Sequence, residues 1–125
     1  RFYKGGSSKA KKIIMKRIVR FRAVDKGIFL DIKNRKKKIE TRAATERYRN
    51  VKRGDTLVFV CGQEKFERKV KKARPARGAG ALLRFYSFRQ ICPDLKTKKE
   101  FLKSYNAFPG YQQKIKKFGL MAFEL

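Results

Sequence analysis

The chain has 125 residues, and its 36 Lys and Arg against 10 Asp and Glu give a formal net charge of +26. Hydrophobic residues make up 42% of the chain, which is the composition of one folded domain and excludes a disordered polyelectrolyte. With no histidine and 2 cysteines, the chain cannot build a Ser-His-Asp triad, and we expect neither a metal nor a cofactor.

Residues 1–12, RFYKGGSSKAKK, predict a flexible basic arm, because the Gly-Gly-Ser-Ser run within them favours no ordered element. Such an arm is either a plain linker or a grip for phosphate. Residues 13–125 are expected to form the single domain.

Residues 13–24 predict a half-buried strand, because apolar side chains alternate there with arginines. A helix over about residues 27–33 follows, with Asp25 as its expected N-cap residue. Residues 38–43 predict a second strand, on which Glu40 shares one face with basic side chains.

A turn at Gly54-Asp55 leads into residues 56–61, which predict the most apolar strand of the chain. A reversal at residues 62–64 then leads into residues 66–73, and the alternation in both runs predicts an antiparallel hairpin. Pro75 and the RGAGA segment after it predict a loop.

The last third of the chain begins with residues 82–86, which predict a short strand. Ser87 is expected to open a helical turn, and residues 97–100, TKKE, match a capping box at the start of another helix. Gly119 is expected to end a final helix before a closing strand over residues 120–125. This order of short elements predicts an α+β fold, a small and mostly antiparallel β-barrel with peripheral short helices.

Three motifs give the chain a family resemblance. They are RKKKIETR with Lys37, Glu40 and Arg42 at its signature positions, the turn and strand KRGDTLVFV, and the ending FPGYQQKIKKFGLMAFEL. In this order they resemble the ASCH domain family of the PUA-like superfamily over residues 19–125. The family motif has a glycine where this chain has Arg35, so the turn there must be made by Arg35 or by Asn34.

The resemblance implies a PUA-like barrel whose cleft holds Lys37, Glu40 and Arg42, and a role in binding RNA. In that cleft Glu40 would accept hydrogen bonds from a nucleobase edge or orient a cation, while Lys37 and Arg42 would meet phosphate. The alternative for these three residues is a salt-bridged strand face that contributes little to stability.

The large positive charge independently favours nucleic acid as the partner, because cations that neutralise phosphates release condensed counterions and so favour binding. The segment of residues 69–77 and the QQKIKK run are expected to hold the backbone, and two tyrosines are expected to stack on bases. The complete set of predicted binding residues is Lys37, Lys38, Glu40, Arg42, Tyr48, Arg49, Lys69, Lys71, Lys72, Arg74, Arg77, Tyr111 and Lys114.

Two other functions stay open. One is an amidohydrolase-like enzyme acting on acylated cytidine, which some small ASCH proteins resemble. It would use Lys37 as a catalytic base activated by neighbouring lysines, with Glu64 or Glu67 as the distant acid. The other is a structural protein of a ribosome or another ribonucleoprotein.

We therefore predict an RNA-binding module, with DNA as a possible substitute partner, no membrane partner and a monomeric free state. The two cysteines, Cys61 and Cys92, are expected to be free thiols, as is usual in a reducing intracellular compartment.

Overall fold

The computed structural model of the protein describes residues 14–107 and 110–125. The predicted arm of residues 1–12 lies outside the described residues. Within these ranges the strands are β1 (Lys16–Phe21), β2 (Ile39–Ala43), β3 (Thr56–Cys61), β4 (Glu64–Lys69), β5 (Lys72–Ala76) and β6 (Leu120–Glu124). The helices are α1 (Lys26–Lys33), α2 (Ala79–Leu82), α3 (Phe88–Ile91), α4 (Lys98–Ser104) and α5 (Tyr111–Phe118), with a 3-10 turn at Ala23–Asp25 before α1.

The six strands form two sheets of three. The first has the order β1-β3-β4 and the second the order β2-β6-β5. Three of the four pairings are antiparallel, and only β1 with β3 is parallel among the described strands. The prediction of an α+β, mostly antiparallel fold is confirmed. The described strands do not pair into one closed barrel.

One connection between the sheets differs from its prediction. The chain leaves β4 at Lys69, Val70 still donates to the Asp55 carbonyl beside β3, and Lys71 already donates to the Glu124 carbonyl of β6. The predicted single strand over residues 66–73 is therefore two strands of different sheets. The chain changes sheets here because the Val70 side chain is buried against the first sheet, whereas the main chain of Lys71 already bonds to the second sheet.

Pro75 was predicted in a loop, but it lies in β5 opposite Met121. It is tolerated there because β5 is the edge of its sheet, where a residue without an N–H does not interrupt the ladder.

The prediction of a strand at residues 82–86 was also wrong, since α2 ends at Leu82 and turns follow. Leu82 and Tyr86 are both buried, four residues apart, and the Tyr86 N–H donates to the Leu82 carbonyl. This apolar spacing of four is typical of helical turns rather than of strands.

The predicted helix starts are confirmed for α3 and α4. Ser87 with Gln90 and Thr97 with Glu100 each form a reciprocal capping box. Asp25 precedes α1 as expected but makes no side-chain cap, because its carboxylate accepts from Arg22 Nε at 2.9 Å.

Two apolar clusters meet at β6. One contains Phe29, Phe59 and Phe123 between the sheets and α1, and the other contains Leu82, Ile91 and Phe101 under α2, α3 and α4. Residues 120–123 of β6 are all buried, since alternate side chains enter the two clusters. Both faces of the second sheet are thereby covered, and β2 is left as its edge on the side facing α3 and α5.

Candidate functional site

A cavity of about 390 Å³ lies at the free edge of β2. The end of β1, the start of α1, β2 itself, the end of α3, the end of α4 and the start of α5 all contribute side chains to it. Its charged lining residues are Arg20, Arg22, Asp25, Lys37, Glu40, Arg42 and Lys114, and its aromatic ones are Phe21, Tyr105 and Tyr111. Cations therefore outnumber carboxylates in a space that three aromatic rings help to line.

The turn before β2 positions Lys37. Arg35 adopts φ 64°, the left-handed region, at the position where the ASCH motif has glycine, while Asn34 keeps φ −90°. The Asp31 carbonyl accepts from both the Lys36 and Lys37 N–H groups and closes the turn. Lys37 consequently points inward, is only 6% exposed, and donates its ammonium to the Ile91 carbonyl at the end of α3.

Glu40 forms the centre of the charged network. Its Oε1 lies 3.3 Å from Lys37 Nζ, and its Oε2 accepts from Arg42 Nε at 2.9 Å. Burial alone would raise the pKa of Glu40, but Lys37 and Arg42 outweigh it and hold that pKa below its ordinary value. The carboxylate is thus ionised and engaged on both oxygens.

Arg42 is fixed by aromatic rings as well as by charge. Its guanidinium carbon lies 4.9 Å from the Phe21 ring centroid and 6.0 Å from that of Tyr48. Burial lowers the pKa of Arg42, but the Glu40 carboxylate outweighs it and raises that pKa above its usual range. The side chain keeps 24% of its surface exposed, so the held cation still faces the cavity.

The opposite wall of the cavity carries two tyrosines. Tyr105 at the end of α4 shares a hydrogen bond of 2.6 Å between its hydroxyl and Thr41 Oγ1. Burial raises the pKa of both Tyr105 and Tyr111, so both stay neutral and present uncharged rings and hydroxyls.

The structure brings only part of the predicted set together here. Lys37, Glu40, Arg42, Tyr111 and Lys114 line the cavity. Lys38 is exposed outside it.

The prediction that Tyr48 stacks on bases was wrong. The Tyr48 side chain is buried, its ring lies 6.4 Å from that of Phe123, and its hydroxyl donates to the Ile18 carbonyl at 3.4 Å. It is a core residue because the loop after β2 folds back over the first sheet.

The segment of residues 69–77 does not form one surface, since it spans two strands. Lys69 and Lys71 line a shallow depression with Arg68, and Arg77 lies near α5. Arg74 stacks over the Phe85 ring at 3.9 Å and donates to the Tyr86 hydroxyl.

A second basic feature combines residues that are far apart in the chain. Arg49, Lys52, Arg53, Lys72 and Lys117 line a groove that we call the basic groove. All five are exposed, and no carboxylate is among its described lining residues. Arg49 and Lys72 were predicted to bind, but their proximity to Lys117 depends on the pairing of β5 with β6 and could not be read from the chain.

The arrangement does not match the acid-base pair that an amidohydrolase would need. Lys36 and Lys38 are exposed, so the charge nearest to Lys37 is the Glu40 carboxylate rather than a neighbouring cation. Glu64 pairs with Lys26 at 3.0 Å and Glu67 with Lys16 at 3.3 Å, both outside the cavity.

Sequence reasoning missed Phe21, Thr41, Cys92 and Tyr105 as lining residues. From the sequence pattern, Phe21 and Tyr105 are expected in the core. They line the cavity because β1 and α4 pack beside β2. Both thiols are free, as predicted, and burial raises the pKa of Cys92.

Residues 14–107 and 110–125 offer neither a metal site nor a membrane-spanning helix. Nowhere in these ranges do three His, Cys, Asp or Glu side chains come together in a way that would hold a metal ion. The helices of this part of the chain are also too short or too polar for any of them to cross a membrane.

Two solved structures are similar to the chain over most of its length. The crystal structure of the hypothetical protein PH0355 is 30% identical, with a TM-score of 0.72, and the match covers 88% of this chain and 96% of that one. The solution NMR structure of PF0455 from Pyrococcus furiosus is 30% identical, with a TM-score of 0.66, and the match covers 88% and 94%. No protein-family model and no curated protein matches the chain.

Proposed function

The chain belongs to the same protein family as PH0355 and PF0455, and from that premise we propose that it is a nucleic-acid-binding module whose ligand is RNA. One observation carries the proposal: a cavity lined by three aromatic residues holds two cations, Lys37 and Arg42, fixed by Glu40 in a domain of net charge +26. An unpaired nucleotide has the chemistry that complements both features, a planar base and an anionic phosphate.

The exposed cations support the part of the proposal that concerns the backbone. A net charge of +26 in a small domain repels itself, and phosphates relieve that repulsion while releasing their condensed counterions. In the basic groove Lys52 pairs with the buried Asp55 at 3.6 Å, while the exposed Arg49, Arg53, Lys72 and Lys117 meet no carboxylate among the described lining residues and are available for phosphate.

The cavity supports the part that concerns bases. Its volume of about 390 Å³ is near the lower end of small-molecule sites, which suits one nucleoside rather than a helix or a duplex. Recognition of single-stranded RNA commonly places a splayed base against tyrosine or arginine planes. Tyr105, Tyr111 and the Arg42 guanidinium supply such planes.

We also propose that this chain and its two relatives belong to the ASCH domain family of the PUA-like superfamily. Lys37, Glu40 and Arg42, which carry the resemblance, line one cavity as that motif implies. The choice of RNA over DNA is part of the proposal, and it would depend mainly on a contact to the 2′-hydroxyl, the group that distinguishes RNA at a given site.

The proposal is tested by fluorescence anisotropy with a mixed-sequence single-stranded RNA of roughly 12 nucleotides, its DNA equivalent and an RNA duplex of the same length. Affinity should fall steeply between about 50 and 300 mM salt, with a log–log slope near −0.7 for each phosphate neutralised. The single strand should bind more tightly than the duplex. A flat salt response, or no binding at low salt, would refute the proposal.

Two further assays separate the other functions. Release of cytidine from acylated cytidine, lost in Lys37→Met, would show an enzyme in place of a binding module. Co-sedimentation with ribosomes that persists after a high-salt wash would show a structural ribonucleoprotein component, since a purely electrostatic association is released by salt.

A further inference from the structure

We propose that the main chain of Thr41, rather than the Glu40 carboxylate, is the group that recognises the ligand in the cavity, with its N–H and C=O hydrogen-bonding a planar base edge. This inference rests on the proposed function and specifies how the same site would read a base. It follows from the register of β2, from the groups already occupied around the cavity, and from the cavity's size.

The register of β2 determines where its backbone groups point. In an antiparallel pair, residues alternate between those that bond across the ladder and those that face away from it. Leu125 N–H donates to the Lys38 carbonyl and Ala44 N–H to the Gly119 carbonyl, which flank the β2–β6 register. These two bonds place the N–H and C=O of Glu40 and Arg42 toward β6.

The groups of Ile39, Thr41 and Ala43 consequently face the free edge of β2. An independent contact agrees with this assignment, since the Ala43 N–H donates to the hydroxyl oxygen of Tyr111, a cavity residue. The Ala43 carbonyl accepts from the Thr45 N–H at 2.8 Å. Both outward groups of Ala43 are therefore in use.

Thr41 differs from Ala43 in this respect. It lies in the middle of β2 and lines the cavity, and its hydroxyl already bonds to Tyr105. Its N–H and C=O face away from β6, and within residues 14–107 and 110–125 neither has a main-chain partner. Half-buried backbone groups without a protein partner must find one in solvent or in a ligand.

Glu40 is less suited to reading a base. Its oxygens are engaged by Lys37 and Arg42, and using them for a ligand would leave a buried cation with a weaker partner. Its role in this site is to hold those two cations beside the Thr41 edge.

The donor and acceptor of one extended residue lie side by side, and so do the donor and acceptor on the pairing edge of every standard base. An added β-strand would use the same groups. A strand needs an open edge several residues long, however, whereas β2 is flanked by α3 and α5 and the space is about 390 Å³. A single base is the occupant that fits.

The test follows backbone amides by NMR in the intact, ¹⁵N-labelled protein during titration with the single-stranded RNA used above and with the four nucleoside 5′-monophosphates. The Thr41 amide should shift progressively on binding, as its N–H gains an acceptor. The Glu40 amide is the matched control, because it lies one residue away, its N–H is held in the β2–β6 ladder, and its peptide group does not contain the Thr41 carbonyl. Binding of the RNA without movement of the Thr41 amide would overturn this inference and leave the proposed function intact.

The second arm changes the ligand. For the monophosphate or RNA base that shifts the Thr41 amide most, methylation of the pairing edge without adding charge (N3 of uracil, N1 of guanine, or two methyl groups on N4 of cytosine or N6 of adenine) should weaken binding at least about tenfold. A methyl group at C5 of a pyrimidine or C8 of a purine is the control and should change affinity by less than about threefold. Equal effects of the two methyl groups would show that the edge is not read.

The third arm separates the main chain from the hydroxyl of the same residue. Thr41→Val keeps the backbone pair and the β-branched shape and removes the hydroxyl that holds Tyr105, so affinity should fall while the pairing-edge methyl group still weakens binding at least about tenfold. Loss of the difference between the pairing-edge methyl and its control in this variant would assign recognition of the edge to the hydroxyl instead.

Discussion

The cavity and the basic groove hold their cations in opposite ways. In the cavity, Lys37 and Arg42 are buried or half-buried and share the Glu40 carboxylate. In the basic groove, five cations are exposed, the described lining includes no acid, and only Lys52 among them contacts a carboxylate, that of the buried Asp55. A buried cation requires a partner and is thereby fixed in place, whereas an exposed one stays mobile and free to meet phosphate.

The two sites therefore suit two different roles in binding, which the net charge of the chain does not distinguish. Fixed cations give geometry, because their positions do not change when a ligand arrives. Exposed cations give affinity that depends on salt but not on sequence. One surface would therefore determine how tightly the domain binds, and the other what it selects.

The largest expected effect comes from removing the acid of the cavity. Glu40→Gln leaves Lys37 buried without a counter-charge and should lower the free energy of unfolding by about 3–5 kcal/mol. Glu67→Gln is the control, since its partner Lys16 is exposed, and it should cost less than about 1 kcal/mol. Urea unfolding measures both. A similar small loss for the two variants would show that the cavity network is no more demanding than a surface pair.

Lowering the pH should remove the stabilisation by Glu40 from the wild-type protein as well. Burial raises the pKa of Glu40, but Lys37 and Arg42 outweigh it and hold that pKa lower in the folded state than its ordinary value of 4.5. The stabilisation is therefore complete above that ordinary value and is lost as pH falls through the folded pKa.

The measurement is the free energy of unfolding of the wild type and of Glu40→Gln at a series of pH values. The difference between the two proteins should be constant above about pH 6 and shrink below about pH 4.5. A difference that does not change with pH would contradict an ionised Glu40.

The basic groove is tested through affinity rather than stability. Lys72→Gln and Lys117→Gln should each reduce the magnitude of the salt slope for single-stranded RNA by about 0.7, with equal loss for all sequences. Lys65→Gln, an exposed site on β4, removes the same charge elsewhere. An equal change in this control would mean that attraction is diffuse and that the groove is not a distinct surface.

The smallest effect is expected from Tyr48→Phe. The long hydrogen bond of 3.4 Å to the Ile18 carbonyl would be lost, at a cost below about 1 kcal/mol, and RNA affinity should be unchanged. Thermal unfolding and anisotropy check the two parts. Weaker RNA binding with an unchanged unfolding midpoint would return Tyr48 to the interface.

Local signals in the sequence predicted local structure well. The capping boxes at Ser87 and Thr97, the turn before β3 and the glycine that ends α5 are each determined by neighbouring residues. Gly119 is predictable because its φ of 77° favours glycine at the end of a helix, and the approach of the Ala76 carbonyl oxygen, 2.9 Å from where a Cβ would lie, adds a long-range reason. The sequence also identified Lys37, Glu40 and Arg42 as one site, because a single acid within a basic run has few other uses.

Features that depend on distant pairing were not predictable from the sequence. The parallel pairing of β1 with β3 joins segments about forty residues apart. Alternation in residues 66–73 continues through Val70 without a signal that the chain changes sheets there. Which aromatic rings meet the cavity, Phe21 and Tyr105 rather than Tyr48, follows from that packing alone.

The direct exchange of sheets at Val70 and Lys71 has a consequence for the cavity mouth. One side of that opening is formed by Phe21 of the first sheet, and another side is formed by Arg42 of the second sheet. Because β4 continues directly into β5 without a loop, the two sheets are connected there without a flexible hinge. We therefore expect the opening to keep a nearly constant width, so that it would admit or exclude ligands by their size and shape.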